Sequence, residues 1–471
     1  MIVNYPPLAC AEVGAIHRVN LAGCYVFPHL VYEIILHITY TRIAYDIFTK
    51  KKEAFMTKQK LTAMAMAALT ALTPAATTNA AIVPSDTDVI VSENDDTSKE
   101  ATDEVTIDKI MAIENSVKLT DKIAAENRNK NIMLSPTSLN FALGMIAEGA
   151  KGETKEALKE YLGTDDFAAY AKQYIENIKK YNSDEENYGY KSKLKIADAV
   201  WADDDLKLQD AFKKSVSSNF SAKVENLDFS NTDKTCKRIN KWCDKNTEGM
   251  IPKIITPDTI SKDTELCLTN SLYFESGWNG DPWTVSNKKE KFGDKEKTKY
   301  MTCAGDRYYE NDKATAFGRN YANGLSFIGI LPNEEGDFTL EDLDIESLLK
   351  SELEYDEVDC KMPKLNFETS AVLNDMLSDI GLKNIFSNDA DFSGIADKNT
   401  KVSTILQKTK LELDENGTKA AAVTMAVMER MSAMAPDPVV KSVELTRPFA
   451  FLIFDEMNNE ILFMGKVVTV K

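Results

Sequence analysis

A hydrolytic centre working near neutral pH needs an imidazole that can take a proton and return it. The chain has three histidines, His17, His29 and His37, and none from Met56 to Lys471. The body of the sequence therefore has no Ser-His-Asp or Cys-His site to build, and it lacks the commonest zinc ligand. A Ser-Lys site stays open by counting. Seven cysteines stand at positions 10, 24, 236, 243, 267, 303 and 360, five of them after Met56, with no CxxC pair. An odd, scattered set in a large chain is not a disulfide framework. Cys236 and Cys243, in "CKRINKWC", share one face of a helix and read as two buried thiols, with a metal or redox site as the alternative. Nothing in this inventory calls for a metal or a cofactor.

The most unusual chemistry is that of "DENGTKAAAVTMAVMERMSAMAPDP", residues 414–438. It has no aromatic residue and no Leu or Ile, yet it is too apolar for a linker. It lies between two strand-like segments, "STILQKTKLEL" (403–413) and "RPFAFLIFD" (447–455). At the strand period of two, one face is Thr418, Ala420, Ala422, Thr424, Ala426 and Met428, small and uncharged. The other face, Lys419 to Glu429, carries charge at both ends. Gly417 supplies a permissive pivot before it. Read by itself the stretch is also a good helix former, with methionines at 425, 428, 431 and 434 spaced by three.

The elements around this stretch belong to a chain of 471 residues, 43% hydrophobic and 28% charged, enough for one large globular domain or two ordinary ones. The net charge of −18 argues against nucleic acid as a partner, because phosphate binding needs clustered Lys and Arg. Residues 56–80 read as a signal peptide. Lys58 and Lys60 lead it, Leu61 to Leu72 form its apolar run, and "TNA" (78–80) offers the cleavage site. The run is too short to span a bilayer as a mature helix. Residues 1–55 hold every histidine and read as an upstream extension of the reading frame or as unstructured, with translation from Met56. A membrane-proximal anchor is the alternative for this prefix. Residues 81–104 read as an acidic linker, and 105–471 as one domain. The mature product is expected to be secreted, outside the membrane and monomeric.

Within the domain, helical periodicity marks 107–126, two helices across 135–163, and the segments 232–247 and 371–381. Strand-like runs cover 194–202, 265–276, 325–332, 358–368, 448–454 and 459–470. Helices and strands mix without βαβ alternation, which predicts an α+β fold with large, mainly antiparallel sheets.

Several blocks resemble signature segments of the serpin family, the serine protease inhibitor fold. "NIMLSPTSLNFALGMIAEGAKGETKEAL" resembles the family's second helix and its run-in. "LTNSLYFESGW" resembles the central-sheet strand that ends at the breach tryptophan, here Trp278. "KMPKLNFE", "LSDIGLKNIFSNDADFSGI" and "RPFAFLIFDEMNNEILFMGKV" resemble the later blocks, in the family's order, so that the likeness covers roughly residues 105–468. The resemblance implies three mainly antiparallel β-sheets, about eight or nine surrounding helices and an exposed reactive loop. Together with the Lys-led, Ala-rich leader it suggests a bacterial secreted member.

The resemblance gives the 414–438 stretch a role. In serpins it is a bait that a serine protease cleaves and that then inserts into the central sheet, trapping the protease as an acyl-enzyme. The chain would then be a suicide substrate and not an enzyme. "DENGT" stands where the family has its hinge, which assigns hinge roles to Glu415, Gly417, Thr418, Ala420, Ala421 and Ala422. Cleavage about fourteen residues past the hinge glycine implies the bond between Met431 and Ser432, suited to elastase-, chymotrypsin- or subtilisin-like targets. The alternative bond, between Arg430 and Met431, would suit a trypsin-like target. A non-inhibitory serpin with a binding role is the other alternative. Ser135, Ser138 and Asn270 match the family's buried polar cluster, Gln407 falls where the family usually has a histidine, and the "VVTVK" ending departs from the family's Asn-Pro.

Overall fold

The computed structural model describes residues 109–470, apart from 165, 185–190, 295, 354, 356 and 419–438. The chain divides into two units, Met1–Lys99 and Glu100–Lys471, and every described residue lies in the second. The prefix 1–55, the leader 56–80 and the linker 81–104 fall outside the described residues, as do Ala420, Ala421, Ala422, Arg430, Met431 and Ser432.

In chain order, α1 (Lys109–Glu126) and β1 (Ile132–Leu134) lead into α2 (Pro136–Ala147), α3 (Gly152–Leu162) and α4 (Phe167–Ile178). Strand β2 (Ser192–Asp203), α5 (Asp210–Asn219), β3 (Lys223–Leu227) and α6 (Thr232–Asn246) precede the long β4 (Leu266–Gly277). Short strands follow: β5 (Thr284–Val285), β6 (Glu290–Phe292), β7 (Glu296–Thr298), β8 (Tyr300–Ala304) and β9 (Arg307–Glu310). Next come β10 (Ala314–Asn320), β11 (Ser326–Pro332), α7 (Ile345–Lys350), β12 (Glu357–Pro363), β13 (Leu365–Val372) and α8 (Asn374–Leu377). The chain ends with β14 (Val402–Asp414), β15 (Gly417–Thr418), β16 (Val440–Glu444), β17 (Phe449–Asp455) and β18 (Glu460–Val467).

The fold is α+β, with eight α-helices among the described residues. A central six-stranded sheet has the order β13-β14-β15-β4-β2-β3. A second has the order β1-β18-β17-β11-β10-β9, a four-stranded sheet runs β16-β12-β8-β5, and β6 and β7 pair alone. Pairing is antiparallel except for β2–β3, β4–β14 and β12–β16. Helix α2 opens with Pro136 in its first turn and is buried from Pro136 to Leu139 and from Phe141 to Ile146. It fills the space between the central and second sheets, and Gly144 lets the Phe167 ring approach so closely that a Cβ would stand 2.3 Å from it. On the other face of the central sheet, α6 buries Cys236, Ile239 and Cys243 against Trp201 and Cys267. Among the described residues, no helix is long and apolar enough to cross a membrane.

Two expected elements differ in detail. The run 358–368 is two strands of two sheets, because Pro363 ends β12 and the chain crosses at Lys364 to begin β13 in the central sheet. The helix expected over 371–381 begins later, because Ala371 and Val372 belong to β13, and α8 passes directly into a wider turn over Ser378–Leu382 that is distorted at Gly381, φ 106°. Helices α4 and α5 lie outside the segments marked in the sequence; α4 is capped by Asp166, whose carboxylate accepts the Ala169 N–H at 2.9 Å.

Candidate functional site

The turn over 414–418 sits at one end of the central sheet, held by two tryptophans. The Asn416 N–H donates to Asp414 Oδ1 at 2.8 Å, closing the tight turn from β14 into β15. The Trp278 N–H donates to Asn416 O at 3.1 Å, and the Trp283 N–H to Glu415 O at 3.0 Å. Trp278 Nε1 donates to Asp414 O at 3.0 Å. The Trp278 indole stacks on Tyr321 with centroids 4.5 Å apart, and the Tyr321 hydroxyl meets Thr418 Oγ1 at 2.7 Å. Glu415 forms an ion pair with Lys364.

Gly417 and Thr418 already lie inside the sheet. Thr418 pairs with Leu413 of β14 on one side and with Ser276 of β4 on the other, antiparallel to both. Its side chain is 2% exposed and points at Tyr321. Gly417 has φ +145°, and a Cβ there would stand 2.2 Å from Ser276 O, so no other residue fits without moving β4.

Further along the same two strands lies the second cluster. Direct parallel pairing of β4 with β14 runs from Leu266/Val402 to Asn270/Gln407 and stops there. At that last pair Gln407 Nε2 donates to Asn270 Oδ1 at 2.5 Å, and Asn270 Nδ2 to Leu406 O at 3.3 Å. Gln407 also ties the start of α2: its Nε2 donates to Ser135 O at 2.9 Å, while its Oε1 accepts the Ser135 N–H at 2.8 Å. Ser138 Oγ lies 3.0 Å from Asp198 Oδ1 and 3.4 Å from Asn270 Oδ1. Ser135 joins through its backbone, since its own Oγ has no hydrogen-bond partner among the described residues. Ser135, Ser138, Asn270 and Gln407 thus form one buried group beside the point where β4 and β14 part. Trp278 belongs to the other cluster.

Sequence reasoning missed Asp198, Trp283 and Tyr321. Asp198 is buried on β2; its Oδ1 accepts from Ser138 Oγ and from the Ser271 N–H at 3.3 Å, and its Oδ2 has no partner among the described residues. Burial pushes its carboxyl well above the usual carboxylate range, and the bonds from Ser138 and Ser271 only partly offset this. Cys236 and Cys243 are both buried on α6, and burial pushes the Cys243 thiol up to about 12.

Comparison with known proteins fits this geometry. The family model described as Serpin (serine protease inhibitor) matches residues 113–470. The chain belongs to the serpin family. It is 31% identical over 354 residues to a serpin-like protein of Methanosarcina acetivorans, covering 72% of this chain and 82% of the relative. It is 26% identical to human neuroserpin over 381 residues, covering 75% of this chain and 89% of that one. The native-state crystal structure of tengpin, a thermophilic serpin, matches with TM-score 0.65 and 27% identity, over 78% of this chain and 96% of that chain. Thyroxine-binding globulin in complex with thyroxine shares the fold at TM-score 0.64 and 23% identity, over 77% of this chain and 99% of that chain. Membership supports protease inhibition, not catalysis, as the general activity.

Proposed function

We propose that the chain is a secreted, monomeric inhibitor that traps serine proteases as a suicide substrate. The observation that carries this reading is β15, which enters between β4 and β14 at the end where those strands no longer pair directly. The segment after Thr418 has a continuous small, uncharged face on the side of the Thr418 side chain, so it can continue the same path as a full strand. The protease serine attacks the Met431 carbonyl carbon, an ester forms, and the Ser432 amine leaves as a new N-terminus. The freed 419–431 segment then runs into the sheet with the protease still attached to Met431, before water can hydrolyse the ester. Release of strain on strand insertion supplies the driving force.

Met431 offers an unbranched apolar side chain, which suits elastase-, chymotrypsin- or subtilisin-like pockets and gives no cation to a trypsin-type pocket. The leader read at 56–80 supports export. The test is to mix the purified chain with a panel of such proteases and look for a complex that survives SDS. An SDS-stable band with an elastase- or subtilisin-like enzyme is expected. A complex formed only with trypsin would move the bond to Arg430. Cleavage by every enzyme with no complex would overturn trapping and favour a binding role.

A further inference from the structure

The four-stranded sheet carries two thiols on facing residues. Cys303 of β8 and Cys360 of β12 are direct antiparallel partners. The Gly305 N–H donates to Val358 O at 2.8 Å, which fixes the phase of this ladder. Two residues along, Cys303 and Cys360 fall in the same hydrogen-bonded phase, where opposed Cα atoms stand about 5.5 Å apart. That is also the commonest span of a disulfide. The Cys360 Sγ points along its own strand, 3.8 Å from Val358 O. Cys360 is buried and Cys303 only partly buried, which makes Cys303 the more accessible of the two. The Cys360 sulfur is accommodated over Gly305, where a Cβ would stand 2.6 Å from it. The other described cysteines, Cys236, Cys243 and Cys267, are all buried, out of reach of a solution disulfide.

We propose that Cys303 and Cys360 are a redox-reactive dithiol that closes to a cross-strand disulfide by exchange with a small-molecule disulfide of the glutathione type. The Cys303 thiolate attacks one sulfur of that disulfide. Its S–S bond breaks, and one thiolate leaves and takes a proton. Cys360 then gives its proton to solvent and attacks the Cys303 sulfur, expelling the second small thiolate, which is protonated in turn. Two cysteine thiols are oxidised by two electrons, and one external disulfide is reduced to two thiols. Closure needs rotation of the Cys360 side chain away from Gly305 and no change of strand register. Burial, and then the neighbouring Cys303, hold the Cys360 thiol well above its ordinary range, so the second step quickens as pH rises. The bond would fix β12 to β8 directly beside Val443 of β16, the strand that follows the 419–438 segment.

The test uses the full chain, purified reduced, incubated with glutathione disulfide, alkylated, digested and mapped by mass spectrometry. The expected product is a peptide pair joined through Cys303 and Cys360, lighter by two hydrogens than its reduced parts. Cys303→Ser should leave Cys360 unmodified, and Cys360→Ser should retain a stable glutathione adduct on Cys303. The oxidised parent should melt roughly 3–6 °C higher, as a long closed loop dictates. A glutathione adduct on Cys303 of the parent that never resolves, a link to Cys10 or Cys24, or both thiols alkylated at equilibrium would each overturn the proposal. The readout is a covalent mass, so it stands or fails apart from protease trapping.

Discussion

Thr418 and Asp198 are both buried within the central sheet, and each makes a prediction at the scale of a single side chain. Thr418 is 2% exposed against the Tyr321 hydroxyl, with Trp278 stacked behind that ring. A guanidinium there would lack a partner and cost several kcal/mol. Thr418→Arg should therefore keep the hinge out of the sheet: protease still cleaves, but the SDS-stable complex falls by roughly tenfold or more. Complex formation at the parent's yield would show that this face does not go inward. Asp198 makes a different prediction. Its folded-state pKa is raised by burial, so the folded state holds a proton that the unfolded chain gives up earlier. That contribution is complete below the ordinary carboxylate value and is lost as pH rises through the folded value. Asp198→Asn keeps the acceptor that Ser138 and Ser271 use and removes the charge. Parent and variant should melt alike near pH ~4, and by pH ~8 the variant should be the more stable by roughly 1–3 kcal/mol. A difference that shrinks with rising pH would refute the assignment. The sequence pointed to Gly417 and Thr418 through "DENGT", and the structure places both inside the central sheet as β15. Asp198 was legible in principle: a period-two count puts it on the face of Leu194, Ile196 and Val200, and a carboxylate on an apolar face is a buried one.

At the scale of elements, the 419–438 segment joins two different sheets. Its first anchor, Thr418, is in the central sheet, and β16 beyond it pairs with β12 in the four-stranded one. Cleavage between them frees two ends that need not stay together. The complex with a target protease should yield, on denaturation, a C-terminal fragment whose first residue is Ser432. Mass spectrometry of that fragment decides the register, and a fragment beginning at Met431 would make the target trypsin-like. The segment's own residues left helix and strand open, since alanine and methionine favour a helix and the small, uncharged face suits an inserted strand. Only the surrounding blocks selected between them. The same limit explains the run 358–368: its apolar pattern is continuous, and the change of sheet at Lys364 depends on tertiary packing that periodicity does not record.

Among the described residues, the central sheet has an interval between β4 and β14 that only β15 enters. Direct β4–β14 pairing ends at Asn270 and Gln407, and β15 supplies only two residues beyond it. Filling the interval with the residues after Thr418 would add ladder bonds on both sides, each worth about 1 kcal/mol net. A nick within 425–435 should thus raise the melting midpoint, by roughly 10 °C for a domain of this size. Calorimetry before and after limited proteolysis measures it, and an equal or lower midpoint would remove the insertion mechanism. The order of the large sheets lay beyond the sequence, because pairing such as β1 with β18 joins residues more than three hundred positions apart. That same pairing would matter further if the 419–438 segment were cut as proposed. Strands β17 and β18 lie between β1 and β11 in the second sheet, and every residue of β17 is buried. A piece beginning at Ser432 would own two inner strands of this sheet, whose other strands would belong to the larger piece. Severing the backbone turns one polypeptide into two subunits with a shared interior, and the smaller departs only when that interior is melted.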